Sequence, residues 1–117
     1  MRLNEINYND AMPVDGYGTG FFRIGGKKYE GAVVALPNGV TAWGGLEDTA
    51  TVLSVVDAID VLFVGTGAEI AHLPKDFRGT LEEAGIGVEA MASPAACRTY
   101  NVLLSEGRRV AVALLPV

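Results

Sequence analysis

The groups that metal and disulfide chemistry require are scarce in this sequence. Its 117 residues include one cysteine and one histidine. Cys97 alone cannot form an internal disulfide, so the fold is compatible with a reducing compartment. One histidine and one thiol are too few ligands for an ordinary zinc site. We therefore expect no metal and no cofactor. We interpret Cys97 as a buried structural residue and His72 as a surface loop residue.

Cationic residues and long apolar runs are also scarce. Nine Lys and Arg residues against fourteen Asp and Glu residues give a net charge of −5, whereas nucleic-acid binding needs a basic surface. The most apolar stretch, residues 52–64, is interrupted by Asp57 and Asp60 and is shorter than the roughly 18 residues of a membrane span. The first residues lack the apolar core of a secretory signal. These absences argue against a nucleic-acid partner and a transmembrane segment, and they predict a cytoplasmic protein.

Apolar residues and glycine, by contrast, are abundant. Half of the residues are hydrophobic, which argues against a disordered chain, and the length suits one domain with its own core. Most of the fifteen glycines fall at or before Gly45. We therefore expect residues 1–117 to form a single domain, with strands and turns up to about residue 45 and alternating helices and strands after it.

Short strands and tight turns characterise the first part of the chain. Residues 22–24, 29–36 and 40–43 are rich in residues that favour strands. The pairs Gly25-Gly26 and Asn38-Gly39 separate them, and an Asn-Gly pair suits a hairpin turn with positive φ at both central residues. These features predict a three-stranded antiparallel N-terminal β-meander. Residues 3–8 are a further strand candidate.

Helices alternate with strands in the rest of the chain. Apolar residues recur at helical spacing from Val52 to Ile59, and a continuous apolar run at 61–64 is typical of a strand buried on both faces. The alternation continues with a helix around 77–84, a strand at 86–91, a helix capped by Ser93, and a strand at 110–115. The pattern predicts an α/β fold, a compact three-layer domain with a mixed central sheet.

The Gly65-Thr66-Gly67 turn follows a predicted buried strand. Open α/β sheets bind ligands at this end of their strands, where glycines let backbone amides approach an anion. The turn does not match a dinucleotide fingerprint, because Ile70 stands where a third small residue belongs, and no lysine follows as in a phosphate loop. One interpretation is contact with an anion or ligand. The other is a tight turn that packs under a helix.

Polar residues interrupt the last predicted helix at Thr99, Tyr100 and Asn101. Tyr100 faces the predicted core and Asn101 lies at its edge, so both need hydrogen-bond partners. They form either a polar pocket with the Gly65 turn or a satisfied buried network that fixes the helix. Arg98 and Val102 lie on the opposite face, and such a pair suits a partner surface. The carboxylates form no acid–base pair, so we assign no catalytic residue.

Three stretches of the sequence together resemble a known family. Residues 60–67 contain the Gly-Thr-Gly turn, residues 85–91 end a strand with Glu-x-Met, and residues 95–110 form a helix that contains Thr-Tyr-Asn. In this order they match the mitochondrial respiratory complex I assembly-factor family, of the assembly-factor-three type. The resemblance covers nearly the whole chain. Relatives include the adipogenesis-associated domain protein of animals and bacterial and archaeal proteins of unknown function.

The resemblance implies a three-layer α/β fold with a mixed sheet, in agreement with the pattern above. It also implies protein partners, either respiratory complex I or protein-export machinery. Mitochondrial members carry a leader that this sequence lacks, so we expect a bacterial protein in the cytoplasm or held at the inner membrane by its partners. Cys97 is not carried over as functional. The family's suspected pocket corresponds here to Gly65, Thr66, Gly67, Thr99, Tyr100 and Asn101.

Two functions from different classes follow from this sequence. The first is a non-enzymatic binding or assembly protein that resembles complex I assembly factors. The alternative is a small-molecule or anion-binding domain, or an enzyme, whose pocket lies between the Gly-Thr-Gly turn and the Thr-Tyr-Asn helix. Exposed strand edges also allow self-association, and the sequence leaves the oligomeric state open.

Overall fold

The computed structural model describes residues 11–117 of the protein. Eight strands and three helices lie within this range. In chain order they are β1 (Val14–Gly18), β2 (Phe21–Ile24), β3 (Lys27–Glu30), β4 (Val33–Leu36), β5 (Gly39–Ala42), α1 (Ala50–Leu53), β6 (Val61–Thr66), α2 (Lys75–Glu83), β7 (Gly87–Met91), α3 (Ser93–Ser105) and β8 (Val110–Leu115). No helix in the described range is long and apolar enough to cross a membrane.

The strands form two sheets. A three-stranded antiparallel sheet has the order β1-β2-β3, and a five-stranded sheet has the order β5-β4-β8-β6-β7. In the larger sheet β4 runs antiparallel to β5 and β8, whereas β6 runs parallel to β7 and β8. The predicted mixed central sheet is therefore confirmed, and its parallel half arises from the alternating helices and strands after residue 45.

The five-stranded sheet separates two hydrophobic cores. Successive residues of a strand point to opposite faces, so Leu62 and Val64 join one core and Phe63 joins the other. The first core packs beneath α1 and α2 and contains Phe77 and Leu81. The second packs beneath α3 and the small sheet, with Phe22 and Tyr100 among its fully buried side chains. The three-layer α/β architecture is thus confirmed.

An N-terminal meander exists, but its strands differ from the predicted ones. The predicted strand 29–36 is broken at Gly31, which has a φ of +78° and whose N–H donates to Gly20 O at 2.9 Å. A positive φ suits glycine and turns the chain from one sheet into the other. The meander is β1-β2-β3, and the β4–β5 hairpin belongs to the large sheet. The strand candidate at residues 3–8 lies outside the described residues.

Two helices also begin or end differently from the prediction. The first helix is one turn long, α1, although Val55 and Ile59 beyond it are still buried. The residue that caps α3 is Ala92, and Ser93 lies inside the helix. The Ser93 side chain is directed to other elements, because its hydroxyl finds buried backbone partners there.

The first turn of α3 lies directly against β6 at Gly65. A Cβ atom at Gly65 would lie 2.6 Å from Ser93 Oγ, 2.7 Å from Ser93 Cα and 2.8 Å from Leu114 Cδ2. Backbone atoms cannot move aside as flexible side chains can. Glycine therefore lets the helix and the strand approach more closely than any other residue would.

We expect Gly65→Ala to lower the free energy of unfolding by about 1–3 kcal/mol, because the added methyl group overpacks a backbone-lined contact. Urea unfolding monitored by circular dichroism measures the change. Gly79→Ala is the matched control, since a Cβ atom there meets nothing within 4 Å on α2. It should stabilise the protein by about 0.5–1 kcal/mol. Wild-type stability of Gly65→Ala would contradict the close approach.

Candidate functional site

The Gly65-Thr66-Gly67 turn ends β6 and is bonded to α3 through Ser93. The Ser93 hydroxyl accepts a hydrogen bond from Gly67 N–H at 2.9 Å and donates one to Leu115 O at 2.7 Å. The Ser93 N–H donates to Gly67 O at 2.7 Å. Ser93 is fully buried, so it joins β6, β8 and α3 at one point. The Gly67 amide is consequently used inside the protein.

Thr66 shapes the loop that follows β6. Its hydroxyl donates to Glu69 O at 2.8 Å and accepts from Ala71 N–H at 2.9 Å. These bonds close a compact turn on the chain itself. The loop then exposes Ile70 and His72. The position of His72 in a surface loop agrees with its interpretation from the sequence.

Tyr100 and Asn101 bind the segment that enters β1. The Tyr100 hydroxyl donates to Met12 O at 2.8 Å. The Asn101 side chain accepts from Val14 N–H and donates to Val14 O, both at 2.8 Å, as a neighbouring strand would. Burial raises the pKa of Tyr100 far above its usual value, so the hydroxyl stays protonated and available as a donor. The second and third turns of α3 thus fix the start of the small sheet.

The six predicted site residues form two clusters along α3. Gly65, Thr66 and Gly67 meet the helix at its first residue, whereas Thr99 lies six positions further on, about 9 Å along the helix axis. Thr99 borders an open depression of about 280 Å³ on the outer side of α3, together with Arg98, Val102 and Leu103. In both clusters, polar groups already form hydrogen bonds within the protein, among them the Gly67 amide, the Thr66 hydroxyl and the Asn101 side chain. A ligand-binding role for the six residues stays a prediction.

Cys97 is buried in the second core, as its position on the helix predicts. Burial raises the pKa of its thiol to about 11. The thiol is therefore protonated at neutral pH and is a poor nucleophile. Within residues 11–117, no group of three or more His, Cys, Asp and Glu residues is arranged to hold a metal ion.

Two further cavities were not predicted from the sequence. One, of about 480 Å³, lies at the amino-terminal ends of β6 and β8 and is bordered by Asp57, Arg108 and Arg109. The other, of about 360 Å³, lies beside β7 and is lined by Ile70, His72, Leu73, Arg78, Glu89 and Ala90. The local signals for the second were Ile70 and Leu73, two large apolar residues in the loop after β6. Its other walls come from a helix and a strand further along the chain.

Asn101→Asp is expected to lower the free energy of unfolding by about 1–3 kcal/mol, because a carboxylate oxygen replaces the donor that faces Val14 O. Repulsion from this carbonyl raises the pKa of the introduced carboxyl in the folded state. The deficit should therefore grow as the pH rises above the unfolded pKa, about 3.9, and should be smaller at pH 4 than at pH 7.

Urea unfolding at both pH values measures this deficit. Thr99→Ala is the matched control on the neighbouring residue, and we expect it to change stability by no more than about 0.5 kcal/mol. If the Asn101→Asp protein is as stable as the control, Asn101 does not hold β1 in solution.

Comparison with known proteins gives consistent relatives over nearly the whole chain. Residues 14–115 match the family described as "protein of unknown function (DUF498/DUF598)". An uncharacterised protein of Rhodobacter capsulatus is 44% identical over 100% of this chain and 94% of its own length. Human NADH dehydrogenase [ubiquinone] 1 alpha subcomplex assembly factor 3 is 32% identical over 91% of this chain. The chain spans 61% of the length of that human protein.

A solved structure shows the same fold. The crystal structure of a Bartonella henselae protein, described as an outer membrane protein, has a TM-score of 0.85 and 39% sequence identity. The match covers 92% of this chain and 96% of that one. The resemblance to complex I assembly factors inferred from the three motifs is confirmed by the human relative, and the chain belongs to the DUF498/DUF598 family.

Proposed function

We propose that this protein is a non-enzymatic binding protein that assists the assembly of respiratory complex I. The observation that carries the proposal is the 32% identity to human complex I assembly factor 3 over 91% of this chain. The match extends over 113 aligned residues. The human protein is longer, so a role that resides in its remaining length does not transfer.

The use of the reactive side chains favours binding over catalysis. Ser93 and Tyr100 carry buried hydroxyl groups that are bonded to the backbone. The Cys97 thiol is buried, and its pKa is raised to about 11. Nucleophilic catalysis needs an activated and accessible group, and these three groups are instead committed to holding the fold.

The surface supports a protein partner. Val102 is 55% exposed on the outer face of α3, next to Arg98 and the depression that borders Thr99. Ile70 is 67% exposed in the loop after β6. We infer that a protein partner covers these two apolar side chains, each of which lies beside a cavity.

We place the protein in the cytoplasm, where it reaches the inner membrane through its partners. Protein-export machinery is the alternative partner.

Deletion of the gene in its own bacterium should lower the amount of intact complex I and its NADH:ubiquinone oxidoreductase activity. Native gels and membrane assays measure both, and the wild-type gene on a plasmid should restore them. Succinate dehydrogenase activity is the control and should stay unchanged. Fully assembled, active complex I in the deletion strain would contradict the proposal.

Partner and location are tested in the same strain. The tagged protein, purified after mild detergent, should enrich complex I subunits. Enrichment of translocon subunits alone would favour the export alternative. Since the Bartonella henselae relative is described as an outer membrane protein, cell fractionation is decisive for location, and recovery in the outer membrane would overturn the cytoplasmic assignment.

A further inference from the structure

The outer edge of β7 carries backbone groups that point away from the sheet. β7 is the last strand of the five-stranded sheet. Gly87 N–H donates to Asp60 O at 2.9 Å on the side of β6. Because backbone groups alternate in direction along a strand, those of Val88 and Ala90 point outward. Arg78 agrees with this assignment, since its Nη1 donates to Val88 O at 2.8 Å.

Arg78 covers the outward carbonyl of Val88. It leaves uncovered the outward backbone groups of Ala90, the next residue of β7 that faces away from β6. Its guanidinium contacts Val88 O and also lies 3.4 Å from a Glu82 carboxylate oxygen. Within the described residues, no neighbouring strand and no loop hydrogen bond uses the outward N–H and C=O of Ala90. Unpaired groups on an edge strand are a template for another strand. The open part of the edge is therefore centred on Ala90.

The cavity of about 360 Å³ lies along this open part of the edge. Ala90 and Glu89 form one wall, and the loop after β6 forms the other with Ile70 and Leu73. Ala90 shares the face of Val88, which is directed to the first core. An added strand would place one side chain beside Ala90, where Ile70 and Leu73 offer apolar contact. On the opposite face, its next side chain would lie beside Glu89.

The negative charge of Glu89 determines which kind of strand can pair with the edge of β7. Two copies that paired antiparallel with Glu89 opposite Glu89 would place these two carboxylates against each other. Two copies that paired with Ala90 opposite Ala90 would place each Glu89 opposite Met91, where it gains no cation. Like charges directly opposite across two strands are destabilising, whereas opposite charges attract. Glu89 is exposed, and the whole chain carries a net charge of −5. A cationic strand of another protein complements this edge, and a second copy does not.

The geometry points to the β7 edge as a strand-acceptor site, at which an extended segment of a partner protein with alternating apolar and cationic residues adds a sixth strand to the sheet. The backbone of the segment pairs with Ala90, its apolar residue enters the cavity beside Ile70, and its cation lies opposite Glu89. Such strand addition gives affinity through the main chain and specificity through alternate side chains. The inference rests on the proposed function for the nature of the partner, a protein.

The test uses a capped peptide, Thr-Val-Lys-Val-Lys-Val-Thr, and its twin with glutamate in place of lysine. Amide exchange by NMR and titration measure binding to the full chain. In the free protein the Ala90 amide should exchange fast, and the lysine peptide should protect it. The glutamate peptide should bind at least about fivefold more weakly, because it replaces the attraction to Glu89 with repulsion.

Three variants assign the binding to this edge. Glu89→Lys should reverse the preference between the two peptides. Glu47→Lys is the matched control, because it changes the net charge equally and lies after β5, at the opposite edge of the sheet. It should keep the preference. Ala90→Pro removes the outward N–H and leaves the bonds to β6, a position that an edge strand tolerates. It should bind neither peptide while its Tm stays close to that of the wild type.

Three results would overturn the inference. They are an Ala90 amide already protected in the free protein, no binding of the lysine peptide at millimolar concentration, and a peptide preference that Glu89→Lys leaves unchanged. The peptide assay contains no complex I component. A protein that restores complex I in the deletion strain but ignores the peptide would keep the proposed function and lose the strand-acceptor site.

Discussion

The buried hydroxyl of Ser93 holds together the three elements that meet at the carboxyl end of the central sheet. It accepts from Gly67 N–H and donates to Leu115 O, and its own amide donates to Gly67 O. A buried hydroxyl that loses its partners costs about 1–3 kcal/mol, so these bonds constrain β6, β8 and α3 together. Gly65 is part of the same constraint, since only glycine admits the Ser93 backbone so close to β6.

A second anchor fixes the second and third turns of α3. Tyr100 bonds to Met12, and Asn101 bonds twice to Val14, so the helix takes the place of a strand beside the start of β1. The small sheet is therefore attached to the large one through a helix as well as through the shared core. With its first turn held by Ser93 and its third turn by Asn101, α3 is the helix that joins the small sheet to the large one.

Apolar runs and helical spacing over a few residues at a time were enough to predict the parallel half of the large sheet. The run 61–64 and the strand 110–115 are apolar because both sheet faces are buried. The meander was predicted with the wrong strands, because residues 29–36 were taken as one strand. Gly31 has a positive φ that ends one strand before the next begins, and β propensity does not report the φ that a residue adopts. The sequence left two interpretations of Tyr100 and Asn101. Their backbone partners lie 88 and 87 positions away, and no local spacing contains such contacts.

Protection of a sheet edge and its use for binding make opposite demands. A strand edge without cover invites pairing with any other chain, so proteins block edges with charges or with neighbouring elements. At β7 this blocking is partial, since Arg78 covers Val88 O and Glu89 adds a negative charge for which a second copy supplies no cation. The groups of Ala90 are left open beside the cavity to which Ile70 and Leu73 contribute apolar contacts. A partly blocked edge excludes most strands and still admits one with complementary charge, which is the property that a specific protein-binding site requires.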